Sequence, residues 1–473
     1  MSEQVILKIK DLPSPKGNFL LGHLPQFNAP NKHQVLERWV KECGNLFRIN
    51  FVGKTFIVSA DHEFNQAVLK LRPKEFRRFS KIDEILQEMG VLGVFNAEGE
   101  VWKRHRKPTS DALGLKKVKA YLPTIKEKTQ NLLEYWQNYA KNETSFDVQK
   151  EFMRYTIDIT TVIAFGYQMN TLKREGDKFQ SHLEHIFPMI NHRITAPIPY
   201  WRIIQGKKDK ALRKSLKVIE GIIYQFINEA KNRLDSNPEL KSKPSNFLEA
   251  LLVEQENANA FSDKEIYSNV FTMLLAGEDT TSNSISWALY YLSQNPDLVQ
   301  KIRVEILTVC PNKLIPDTPE EINKLEYTNA VVQEVIRLKP VSPNLYMQAN
   351  KDIIIENLSI PKDTTIMLQN KVAQTSNQYF SDPEQFHPER WLKNTCPVHQ
   401  KHSPEIVKAF GGGPRFCPGK TMAEYEMIIA ISSICRKYDI NIAVSPETIS
   451  EHFAFTMYPK NLLIQVKNVL ESN

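Results

Sequence analysis

The sequence predicts a mainly α-helical protein with a small β region, and three observations carry that expectation. Between residues 101 and 339, apolar side chains recur with the 3.6-residue period of amphipathic helices. Short runs rich in β-branched and aromatic residues sit toward the two ends instead, around residues 47–59 and 353–368. With 473 residues, 41% of them hydrophobic, the chain is long and apolar enough to bury a large core.

In chain order, residues 12–30 are rich in proline and glycine and are expected to wrap over a surface without regular structure. Residues 47–59 (FRINFVGKTFIVS) read as a strand, a glycine-containing turn and a second strand. Helices are predicted over 121–140, 148–165, 212–234 and 263–294. Asn295-Pro296 ends the last, because proline disfavours helix in the residue before it. The lysine-rich run 207–217 reads as a solvated helix face. Past Pro340, residues 353–360 and 364–368 read as short strands around a turn, and 374–400 as a long loop. A final helix is predicted from Gly419 to about Tyr438, and short strands over 439–466. Without an internal repeat or low-complexity linker, residues 1–473 are expected to form a single domain. It would be strand-rich over about 35–75, 340–390 and 439–467 and helix-rich over about 76–339 and 400–438. The strand-rich ends are expected to join in one β region beside the helical body.

A net charge of +7 is a mild excess and lacks the dense basic stripe that nucleic acid demands, so no nucleic-acid partner is expected. It suits an acidic protein partner or an anionic membrane surface. Five irregularly spaced cysteines (43, 310, 396, 417, 435) imply no disulfide framework and a reducing compartment. The N-terminus carries no apolar run of signal-peptide length, and the most apolar stretches, 270–277 and 427–434, are too short to span a bilayer. A soluble, cytoplasmic monomer without a transmembrane anchor is expected, with peripheral membrane contact open to it.

The chemistry concentrates in FGGGPRFCPG, residues 410–419. Glycines 411–413 allow a tight turn and a backbone lying against a flat ligand. Cys417 precedes a helix, where free N–H groups and the helix dipole favour thiolate, and Arg415 adds a fixed charge suited to a carboxylate. A phosphate cradle would need a Gly-Lys-Ser/Thr ending and a preceding Rossmann strand, and neither is present. The segment resembles the cytochrome P-450 haem-binding pattern at five fixed positions, Phe410, Gly413, Arg415, Cys417 and Gly419. That resemblance implies haem b with Cys417 as the axial ligand of its iron. It also implies the family's triangular-prism fold, with the haem between the long central helix and the cysteine-loop helix.

Three further constellations agree. Glu334 and Arg337 stand three apart on one helix face, a spacing that alone marks a surface ion pair of little worth. With Arg390 in FHPERW they resemble the family's interlocking Glu and two Arg, which implies a structural role in fixing the segment that carries the cysteine loop. AGEDTT, residues 276–281, interrupts a helix with glycine, acid and hydroxyls. Mid-helix glycine costs about 1 kcal/mol relative to alanine, so local distortion of the helix is expected, making room for dioxygen and water. By resemblance, Ala276 and Gly277 border the cofactor, and Asp279 and Thr280 form the acid–alcohol pair that relays protons to dioxygen. Trp102 and Arg106 are spaced i, i+4 ahead of the long helical region. By resemblance, Arg106 and Arg415 each neutralise a haem propionate, with Trp102 offering its indole N–H. The segment VSPNLYMQAN departs from the family by lacking an arginine that many members place there for a propionate.

The resemblance covers essentially the whole chain. It implies insertion of one oxygen atom from O2 into a lipophilic molecule, a fatty acid, terpenoid or steroid-like compound. Electrons would come from a separate ferredoxin or flavodoxin/reductase donor, because the chain ends about fifty residues past the cysteine loop. The segments 80–95, 187–200, 270–276, 341–346 and 453–457 are expected to line the substrate pocket. Peroxide-driven hydroxylation and P-450-type isomerase or dehydratase chemistry are rivals that would not need Asp279 and Thr280. A haem sensor is a rival of another class. Lys103, Arg104, Lys107, Lys408 and Lys420 are candidates to surround the face nearest the sulfur and receive an acidic donor. Arg77 or Arg78 is a candidate to hold a fatty-acid carboxylate. Cys396, His399 and His402 have metal-like spacing but lack a convincing fourth ligand.

Overall fold

Burial of the helix Asp263–Ser293 on nearly all sides organises the molecule, and its sequence explains why it forms there. Ser262 accepts a hydrogen bond from the Glu265 N–H while the Glu265 carboxylate accepts from the Ser262 N–H, a reciprocal cap. From Ile266 onward almost every side chain is buried, polar ones such as Asn269, Glu278, Asp279 and Asn283 among them. The computed structural model describes residues 5–27, 31–173, 178–183, 185–196, 198–255, 261–392 and 401–469. The central helix packs along the helix Val148–Phe165, started by Asp147 accepting from two backbone N–H groups and stopped by Gly166 at φ +71°. The helices Leu115–Asn142, Pro296–Val309 and Lys420–Lys437 surround this pair, and Trp136, Trp287 and Tyr155 are fully buried among them.

Among the described residues the strands fall into four sheets rather than one region. The largest has the order Leu46–Phe51, Lys54–Ser59, Thr365–Gln369, Asn344–Ala349, Phe76–Arg78. Its central strand Thr365–Gln369 is buried throughout, parallel to one neighbour and antiparallel to the other. The tail strands Tyr438–Ile442 and Leu463–Asn468 do not join it. They pair with each other and with Phe146–Asp147, against the helical body, while Ser450–Phe453 and Met457–Lys460 form a separate hairpin. Residues 12–30, expected to be irregular, contain a short helix, Leu24–Phe27. Among the described residues no helix is long and apolar enough to cross a membrane.

Candidate haem-thiolate site

Cys417 lies in the turn before the helix Lys420–Lys437, with its N–H donating to the Phe410 carbonyl at 2.9 Å. Gly413 has φ +63° and a side chain there would strike the Leu69 carbonyl, so the loop closes only with glycine. Cys417 borders a cavity of about 590 Å³. Cys310 and Cys435 are buried in the core, and Cys396 and His399 lie outside the described residues. Burial pushes the Cys417 thiol up, while the Gly419 N–H and the Arg106 guanidinium pull the other way. The helix terminus therefore does not ionise the sulfur unaided; a bound metal ion would.

All the expected haem-contacting residues but Gly413 border this cavity, and so does Thr280. Trp102, Arg106, Ala276, Gly277, Thr280, Phe410, Arg415, Cys417 and Gly419 border it, and Gly413 shapes the loop behind. Trp102 and Arg106 both come from the helix Gly99–Ala112. Arg415 lies over the Trp102 ring, and Arg106 donates to the Phe416 carbonyl at 2.9 Å. All five segments expected to line the substrate pocket contribute to its wall, among them Phe95, Ala196, Met273, Leu345 and Phe455.

The charged surroundings hold residues the sequence reading missed. Glu98 receives Arg415 at 2.6 Å and Arg72 at 3.4 Å, and the Arg78 N–H donates to it at 2.9 Å. Arg78 itself stacks on Phe95, 3.7 Å from the ring centroid. Two guanidiniums thus share one carboxylate, with the Arg78 guanidinium close by and unpaired with it. Burial, reinforced by Arg72 and Arg415, drives the Arg78 pKa well down, and burial brings Arg415 to about 10. Among the described residues the buried Arg72 Nε has no hydrogen-bond partner. Excess cation and an orphaned donor beside an apolar cavity fit the two propionates of a haem whose iron meets Cys417. Arg72 and Arg78 also supply the cations that the arginine-free segment after Pro340 lacks. Arg77 has other partners, the Asn350 amide, the Ala349 carbonyl and Asp363, so of the two arginines considered for a substrate carboxylate only Arg78 borders the cavity.

On the opposite wall the expected helix distortion does not occur: Asp263–Ser293 is continuous. Thr280 Oγ1 donates to the Ala276 carbonyl at 2.7 Å, closing on the helix backbone without breaking it. Gly277 serves a close approach, because a Cβ there would lie 2.6 Å from Thr160 Oγ1 on the helix Val148–Phe165. The Asp279 carboxyl is turned away from solvent. It accepts from Asn283 at 3.2 Å and from the Thr456 hydroxyl, and burial pushes its pKa up to about 6. Thr456 borders the cavity and so joins Asp279 to it.

Behind the cysteine loop, Glu334, Arg337 and Arg390 interlock. Arg337 donates to both Glu334 oxygens at 2.8 Å and to the Gln374 and Pro383 carbonyls at 2.7 Å. Arg390, the His387 N–H and the Trp391 indole complete the carboxylate's shell. On the outer face Lys103, Lys107 and Lys420 are exposed and Lys408 is half-buried, but Arg104 is tied to Glu265 and leaves that patch.

The family profile described as Cytochrome P450 matches residues 12–466. The chain is 26% identical to the protein LUTEIN DEFICIENT 5, chloroplastic, of Arabidopsis thaliana, over 85% of this chain and 68% of that one. It is 28% identical to cytochrome P450 3A15 of Cavia porcellus, over 75% and 72% of the two chains, and 27% identical to cytochrome P450 3A2 of Rattus norvegicus, over 94% and 90%. With that match over nearly its whole length, the chain belongs to the cytochrome P450 family of haem-binding monooxygenases.

Proposed function

We propose that residues 1–473 act as one catalytic domain that binds haem b through Cys417 and hydroxylates a lipophilic substrate, drawing electrons from a separate acidic ferredoxin or flavodoxin-type donor. The observation that carries this reading is one continuous cavity with Cys417 on one wall, Ala276 and Thr280 on another, and apolar side chains beyond. When bound, the haem supplies electron transfer to dioxygen and the O–O cleavage that thiolate ligation favours. Cys417 Sγ would hold the iron, and Arg72, Arg78, Arg106 and Arg415 would hold the propionate end, with the Trp102 ring against Arg415. The reaction takes O2, two electrons and two protons, leaving one oxygen atom in the substrate and the other in water.

The protons are the protein's responsibility. Thr280 Oγ1 spends its own hydrogen on Ala276, so toward the cavity it presents lone pairs that accept from a water and hold it in place. Asp279, its pKa raised to about 6 by burial, is mostly ionised at pH 7 but takes up and releases a proton readily near neutrality, as a relay acid must. Thr456 Oγ1 bridges the Asp279 carboxyl to the cavity and can hand that proton on. Apolar walls exclude other water. Peripheral membrane contact is supported by exposed Phe19, Leu20, Leu21, Ile198, Ile203 and Ile204.

The test is coupling. Thr280→Ala is expected to bind substrate and consume electrons while releasing hydrogen peroxide in place of product. Asp279→Asn is expected to slow turnover and raise the solvent isotope effect. Full coupling of electrons to product with O2 in both variants would overturn the relay and favour a peroxide-driven or non-oxygenating reaction.

A further inference from the structure

The cavity carries a second chemical feature elsewhere on its wall. It reaches the surface beside the hairpin tip, where Val52 and Lys54 border it and are exposed. Among the described residues bordering it, the one acid is Glu426, which belongs to the cysteine-loop helix. Three lysines border it with no carboxylate within ion-pair distance among the described residues: Lys32, Lys54 and Lys81. Lys81 donates to the Ala196 carbonyl.

Lys32 is the unusual one. It opens the helix Lys32–Cys43 yet is only 4% exposed. Its ammonium donates to the Asn191 side-chain oxygen from the helix Ile186–Thr195 and lies 5.1 Å from the Phe453 ring centroid. Lysine is almost never buried unless paired, and this one meets a neutral amide and an aromatic face. Burial alone lowers its pKa to about 7. Nearby Glu451 does not serve as its counter-ion, being committed to His33, Lys339 and Lys371. Asn191 and Phe453 both border the cavity, so the ammonium sits at a junction of three segments, facing space that a ligand would fill.

We propose that the substrate is an amphipathic carboxylic acid whose carboxylate is held by Lys32, with its apolar body lying along Phe79, Phe455 and Met273 toward Thr280. This rests on the monooxygenase reading for what happens at the Thr280 end; the headgroup site stands on Lys32 and its surroundings. It also moves the carboxylate role from Arg77 and Arg78, which β pairing and the Glu98 cluster occupy, to a lysine held by other segments of the cavity wall.

The test is calorimetric binding to the purified haem-loaded protein. Palmitic, oleic and abietic acids are compared with their methyl esters, which keep the apolar body and lose the charge. At least one acid is expected to bind on the order of tenfold or more tightly than its ester, as a desolvated charge-assisted pair should. Lys32→Met is expected to remove that preference and leave ester binding unchanged, Lys32→Arg to keep it, and Lys207→Met, on an exposed helix face, to do nothing. In the wild-type protein the acid, but not the ester, is expected to bind with proton uptake above pH 7, read in buffers of different ionisation enthalpy. The charged groups around Lys32 are His33, Glu451 and His452 on one side and Lys54 and Lys81 on the other, and the ester serves as their blank. The proposal is overturned if no acid outbinds its ester, if no proton is taken up, or if Lys32→Met keeps the preference while still binding ester. Failure of the monooxygenase reading looks different: acid preference would persist in a protein lacking the thiolate–CO band or yielding no oxygenated product.

Discussion

Replacing Glu334 by glutamine keeps the volume and removes one charge from a site that cannot tolerate the loss. The carboxylate and both guanidiniums are at most 1% exposed. Five donors converge on Glu334: two from Arg337, one from Arg390, the His387 N–H and the Trp391 indole. Glutamine offers one acceptor oxygen in place of two, presents an NH2 to guanidiniums already rich in donors, and leaves two buried cations without a counter-ion. Breaking a buried pair in this way costs about 3–5 kcal/mol. The assay is denaturant unfolding followed by far-ultraviolet circular dichroism, with haem retention measured on the same samples. The sign of the pH dependence follows from the Glu334 pKa. Burial pushes it up, but Arg337 and Arg390 more than reverse this, so it lies below the usual carboxylate value. The interaction is therefore fully present above the unfolded pKa of about 4.3 and lost as pH falls through the lower folded value. The gap between wild type and Glu334→Gln should be widest near neutrality and close in acid. A loss below about 1 kcal/mol, the worth of a surface pair, or a gap that widens in acid would refute the reasoning.

Three further outcomes follow from particular contacts. Gly277→Ala should cost about 1–3 kcal/mol by overpacking against Thr160, and Thr160→Ala should recover much of that; a neutral Gly277→Ala would mean the two helices do not approach as described. Thr456→Val, which removes the hydroxyl between Asp279 and the cavity, should reproduce the slow turnover and raised solvent isotope effect of Asp279→Asn, while wild-type kinetics would exclude that route. Lys103→Glu, Lys107→Glu and Lys420→Glu should slow reduction by an acidic donor, with the wild-type rate falling as salt rises; rates flat in ionic strength would count against docking on this face.

What was legible in the sequence is what is encoded locally. Val148–Phe165 was predicted with its observed ends because Asp147 and Gly166 punctuate it on the spot. The long helix Lys207–Ser236 shows its apolar period only from residue 212; its lysine-rich start is legible as a solvated helix face, and the Asp209 carboxylate, accepting from the Gly206 N–H, fixes where it begins. Partnership between distant segments left no local mark. The tail strands follow the same alternation whether they pair with Thr365–Gln369 or, as they do, with Phe146–Asp147. The cysteine loop was readable because its ligand, glycines and arginine fall within ten residues. Arg72, Arg78 and Glu98 belong to one charge cluster only after the chain has folded, and each alone reads as a surface residue. Thr456 falls in a segment expected to line the pocket, but its bond to Asp279 leaves no local mark, and neither does the burial of Lys32. Gly277 was noticed, but its cause, the Thr160 hydroxyl, lies more than a hundred residues away along the chain.

The central claim is that one sulfur, at Cys417, faces the haem. The most direct measurement is the absorption spectrum of the ferrous–CO complex of the purified protein and of two cysteine variants. Wild type and Cys435→Ala, whose cysteine is buried in the core away from the cavity, are both predicted to give the far-red-shifted Soret band of thiolate ligation. Cys417→Ala is predicted to lose it. A Cys417→Ala protein that keeps the shifted band, or a Cys435→Ala protein that loses it while still binding haem, would contradict the account at its base.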